Sequence, residues 1–98
     1  HAQSGYTYQA LAFTRNAKHM EPFLIEFEPK TKGKLSFLTH PGEEFHFVFR
    51  GRLAFYYKDE EIILGPGDSL YFDSSVPHTF RALGGRKAQA IAVIYSEE

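Results

Sequence analysis

Apolar residues recur at alternate positions in short runs along this chain, and each run ends in a turn signal. The run "PFLIEFEP" (22–29) places Phe23, Ile25 and Phe27 on one face and is bounded by two prolines. The run "EFHFVF" places Phe45, Phe47 and Phe49 on one face and Glu44, His46 and Val48 on the other. Further strand-like runs cover 6–13, 35–38, 53–57, 62–65, 69–72, 78–83 and 88–95. Between them lie polar or Gly/Pro-rich breaks: "KTKGK", "HPGE", "KDEE", "GPGD", "DSSVP" and "GGRK". No segment carries a three-to-four residue apolar repeat, and the prolines at 22 and 29 argue against a helix there. The pattern predicts an all-β sandwich or barrel.

Composition agrees. Ten Phe and six Tyr suit pleated, half-buried surfaces. A length of 98 residues predicts a single domain, with enough buried surface for a core without cross-links. The chain has no cysteine, which excludes disulfides and thiolate metal sites and suits a cytoplasmic setting. Net charge is -1, with no basic excess to neutralise phosphates, so direct nucleic-acid contact is not expected. No apolar stretch is long enough to span a membrane.

The polar positions inside the apolar pattern carry the candidate chemistry. Glu44 and His46 share a face with Val48, and a buried carboxylate there needs a cation, a metal or hydrogen-bond donors. His40 precedes the Pro41-Gly42 turn and can fold back beside Glu44. His78 follows Pro77 and begins a strand. Two imidazoles and one carboxylate make the facial triad that holds divalent iron and similar metals with open positions. The alternative is a polar cluster that holds a barrel mouth by hydrogen bonds alone. His46 is expected to line the pocket or hydrogen-bond Glu44, with a fourth-ligand or proton-carrying role as the sharper alternative.

These residues resemble the motifs of the cupin family. His40, Glu44 and Gly51 fall on the second histidine, the glutamate and the final glycine of the first cupin motif. Gly67 and His78 fall on the first glycine and the histidine of the second. Leu38 stands at the family's first histidine, Asp73 and Ser75 at its proline and glycine, and Ala82 at its asparagine. The resemblance implies a single-domain antiparallel cupin (jelly-roll) β-barrel over 1–98. Within it 1–30 forms the N-terminal strands, 33–82 holds the motifs and 88–96 is the closing strand. It also implies a metal set reduced to His40, Glu44 and His78, for a divalent transition metal such as Fe, Zn, Mn or Ni.

The phrases "HPGEEF" and "LGPGDSLYFDSSVPH" also resemble the C-terminal sensor domain of XRE-family transcriptional regulators. The leading functional expectation is therefore a small-molecule effector-binding domain, the regulatory half of a helix-turn-helix regulator. The alternative is a small metal-dependent cupin enzyme (a dioxygenase, isomerase or lyase). His46, Val48, Tyr56, Tyr71, Phe72 and Phe80 are the expected ligand-pocket residues. The Phe45, Phe47 and Phe49 face either packs under the N-terminal strands or joins two copies, and the resemblance favours a homodimer.

Overall fold

The computed structural model describes residues 2–3, 6–12, 19–29 and 35–96. Residues 1, 4–5, 13–18, 30–34 and 97–98, which include the expected loop "KTKGK", lie outside the described residues. Among the described residues nine strands follow in order: β1 (Ala2–Gln3), β2 (Tyr6–Ala10), β3 (Met20–Phe27), β4 (Glu43–Arg50), β5 (Leu53–Tyr57), β6 (Glu60–Leu64), β7 (Ser69–Asp73), β8 (His78–Ala82) and β9 (Ala88–Tyr95). All pair antiparallel, in a six-stranded sheet ordered β1-β2-β3-β9-β4-β7 and a three-stranded sheet ordered β6-β5-β8. Among the described residues there is no helix, and so none that could cross a membrane. The expected all-β cupin-type barrel is the observed architecture.

The interior is built mainly from alternate residues of β3, β4, β7 and β9, as the period of two requires, and from consecutive buried residues of β5 and β8. Ile25 and Phe27 of β3, Val48 of β4, Leu53 and Phe55 of β5, Phe72 of β7 and Phe80 of β8 are buried. β9 lies between β3 and β4 and turns Ala88, Ala90 and Ala92 inward, all fully buried. Those three methyl groups leave room for rings from the opposite sheet. Phe55 stands 4.7 Å from Phe72 and 4.8 Å from Phe80, and Phe80 stands 5.3 Å from Phe27. Small residues facing large ones fill a barrel at interior density.

Two expectations are corrected here. The run 35–38 is not a strand; it contributes only an isolated bridge between Leu38 and His78. Phe45, Phe47 and Phe49 do not pack under the N-terminal strands. β2 and β3 extend the same sheet beside β9 and leave that face of β4 open, with the three rings 37–41% exposed.

Candidate metal centre

Glu44 begins the inward face of β4, opposite Phe72 of β7 and Ile94 of β9. His78 begins β8, opposite Tyr57 of β5. The two come from different sheets and meet at one end of the barrel, each almost fully buried. His40 arrives from the segment before β4, which is tied down by backbone bonds. Leu38 and His78 exchange N–H···O bonds of 2.9 and 3.1 Å. The His40 N–H donates to the Ser74 carbonyl, and the Ser74 N–H donates to the Gly42 carbonyl, both at 2.9 Å. The turn thus closes over the end of β7 and points the His40 ring back at Glu44.

Three ligand-type atoms converge. Glu44 Oε2 lies 2.5 Å from His40 Nε2 and 3.5 Å from His78 Nε2. His40, Glu44 and His78 each offer one such atom, all within 4.8 Å of one another. Both imidazoles are held from behind. His78 Nδ1 donates to the Val76 carbonyl at 2.9 Å, and His40 Nδ1 to the Pro41 carbonyl at 3.3 Å. A nitrogen facing a carbonyl must carry the hydrogen, so each ring turns Nε2 to the centre of the site, where it donates to the Glu44 carboxylate while protonated and would offer a lone pair to a metal once deprotonated. His40 is the partly exposed member and marks the mouth.

The electrostatics favour positive charge at that point. Burial pushes the Glu44 carboxyl up, but hydrogen bonds from His46, His78 and His40 and the charge of His46 outweigh it and hold it well below the usual carboxylate range. Burial pushes His78 down, yet its bonds to Glu44 and the Val76 carbonyl, with the Glu44 charge, raise it above its ordinary value. An ionised carboxylate faced by two backbone-anchored imidazoles is a group that could hold a divalent transition metal with open positions.

The remaining expected residues divide. His46 is 2% exposed and its Nε2 lies 2.7 Å from Glu44 Oε1, the hydrogen-bonding place expected of it. Val48, Phe72 and Phe80 are interior. The pocket expectation is corrected for Tyr56 and Tyr71, because alternation turns both outward. Tyr71 is 66% exposed and bonds Glu43 on the outside of the sheet. Tyr56 lies under the Arg81 guanidinium at 5.7 Å, beside Glu61.

Sequence reasoning missed Ser74, Tyr6 and Tyr8. Ser74 is fully buried and its Oγ donates to Glu44 Oε2 at 3.2 Å. Tyr6 and Tyr8 lie side by side, ring centroids 5.5 Å apart, and both feel the Glu44 charge. Burial pushes the Tyr6 hydroxyl up to about 12, and burial with its neighbours pushes Tyr8 further still, so both stay protonated donors. The x-Tyr-x-Tyr alternation of β2 is a signal that both share a face, but nothing local ties that face to Glu44.

Fold and site together define a small antiparallel barrel with a His-Glu-His group at one end that could hold a metal ion. The chain belongs to the cupin family: the Cupin domain profile (Cupin_2) matches residues 23–94. It is 31% identical over 94 residues to (S)-2-hydroxypropylphosphonic acid epoxidase of Streptomyces wedmorensis, covering 90% of this chain and 48% of that protein. It superposes on the Fe(II) form of HppE with a TM-score of 0.80 at 29% identity, over 93% of this chain and 51% of that one. The Co(II) form of HppE in complex with Tris gives 0.79 at 30% identity, over 92% and 53%. The Cupin_2 domain of an XRE-family transcriptional regulator from Enterobacter cloacae gives 0.79 at 22% identity, over 96% and 99%, a likeness of fold. The chain spans about half the length of the epoxidase it matches.

Proposed function

We propose that this chain is the metal-binding barrel of a cupin enzyme that acts on a small, oxygen-bearing organic acid. The observation that carries the proposal is the convergence of His40 Nε2, His78 Nε2 and Glu44 Oε2 with both rings anchored through Nδ1. The likeness to iron and cobalt forms of a hydroxyalkylphosphonic acid epoxidase supports it. A bound divalent metal of the iron type would supply Lewis acidity and redox chemistry at its open positions. The chain's own residues do the rest. His40, Glu44 and His78 hold the ion. Tyr6 and Tyr8 present protonated hydroxyls on the Glu44 side of the barrel, suited to an acidic group of the substrate. Phe72 and Phe80 line the approach to the His78 and His46 rings and keep water from it.

The sensor reading uses the same barrel and rests on the sequence resemblance to regulator domains. The two readings separate in one experiment. The Fe(II)-loaded protein is mixed aerobically with 2-hydroxyalkylphosphonic and 2-hydroxycarboxylic acids and followed by NMR. Metal-dependent consumption of an acid, absent in Glu44→Ala, supports the enzyme. Saturable binding without consumption supports the sensor and overturns the enzyme. We further assign the open Phe45, Phe47 and Phe49 face to contact with a second copy, since contiguous exposed rings mark association surfaces.

A further inference from the structure

We infer that His46 is a positioning residue that fixes Glu44 as a one-oxygen metal ligand; the inference rests on the metal reading above. The two oxygens of Glu44 have different surroundings. Oε2 faces His40 Nε2, His78 Nε2 and Ser74 Oγ at 2.5, 3.5 and 3.2 Å. Oε1 faces His46 Nε2 at 2.7 Å. An ionised carboxylate only accepts, so His46 Nε2 carries a hydrogen and spends it on Oε1.

The cost of placing His46 there shows that it answers a need. Its ring is buried on the interior face of β4, opposite Leu70 and Ala92, with Phe80 at 4.8 Å and Phe72 at 5.8 Å. Its Nδ1 is buried with no hydrogen-bond partner among the described residues. An apolar side chain would satisfy that wall at no such penalty. The single polar contact that sets histidine apart there is the bond to Oε1.

The consequence is directional. With Oε1 held from inside the barrel, Glu44 presents Oε2 alone toward the two anchored imidazoles. Each of the three residues would then give a bound metal one atom and leave its remaining positions open. Without the donor, the carboxylate is free to rotate or to bind through both oxygens, which removes one of those positions. Partners that orient a ligating group are worth about 10–100-fold in metal affinity.

Co(II) titration of the metal-stripped protein, followed by its visible absorption bands, tests this. The variants are His46→Leu, His46→Gln and His40→Ala, each checked for fold by circular dichroism. Gln keeps an N–H donor on a chain of similar reach, and Leu removes it. His46→Leu should bind Co(II) about 10–100-fold more weakly with an altered band pattern, and His46→Gln should recover most of both. Parental affinity and bands in His46→Leu overturn the inference while leaving the site intact, provided that His40→Ala abolishes binding. Failure of Gln to recover either property also overturns it, since a packing role alone would then explain the loss. If the parent protein takes up no Co(II), the metal reading and this inference fall together.

Discussion

Gly42 sets the turn that returns His40 to Glu44. Its φ is +121°, and a Cβ there would stand 1.9 Å from the Tyr95 carbonyl oxygen. Backbone cannot yield as a side-chain tip can, so Gly42→Ala should cost about 3 kcal/mol or more in chemical denaturation. Gly67 has a comparable φ of +92° but open space around it, so Gly67→Ala should cost only about 1 kcal/mol. Equal losses would show that strain rather than the close approach governs Gly42. At this scale the three residues that converge were legible: His40 before a Pro-Gly turn, Glu44 four residues on, and His78 after Pro77. Ser74 was not, because its role depends on the Gly42 and His40 backbone reaching the end of β7. The raised hydroxyls were not either. Tyr6 has a folded pKa above its unfolded value, so its contribution to stability is complete below about pH 10 and fades as pH rises toward about 12. Tyrosinate absorbance and circular dichroism should therefore change together in that window, and Tyr6→Phe should weaken that alkaline transition. An unchanged transition in Tyr6→Phe would contradict the burial argument.

Among the strands, β4 repaid reading by alternation. Its inward Glu44, His46 and Val48 and outward Phe45, Phe47 and Phe49 follow from a period of two. What alternation leaves open is which face is covered, and here it is the polar-looking face that points into the core. The same ambiguity misplaced Tyr56 and Tyr71, since an aromatic ring on a strand suits either face. The run 35–38 has strand-like composition, but only Leu38 finds a backbone partner there. On the outer face, Met20, Glu43, Phe45, Tyr71, Val93 and Tyr95 frame a groove of about 530 Å³, on the opposite side of the sheet from Glu44 and His46. If a second copy covers this surface, as proposed, the protein should sediment as a dimer. Phe47→Glu should shift it to monomer without loss of its β-sheet circular dichroism signal. A monomeric parent would refute the assignment.

The molecule as a whole places the site where the two sheets meet at one end. Strand order β2-β3-β9-β4 carries Tyr6 and Tyr8 toward Glu44 across two intervening strands, and no local pattern encodes that distance. Motif spacing made the clustering of His40, Glu44 and His78 readable because each lies within a few residues of a turn that fixes it. The barrel's long-range pairings were readable only through resemblance. If the three ligands form one centre, metal binds the folded state and not the unfolded one. An excess near 100 times the dissociation constant should then stabilise the fold by ~2.7 kcal/mol, reversibly on chelation. The central claim is tested most directly by elemental analysis after loading with Fe, Zn, Mn or Ni, in the parent and in a His40→Ala/Glu44→Ala double variant. The account predicts about one equivalent per chain in the parent and none in the variant. No uptake of any of the four metals, or equal uptake by the variant, would contradict it.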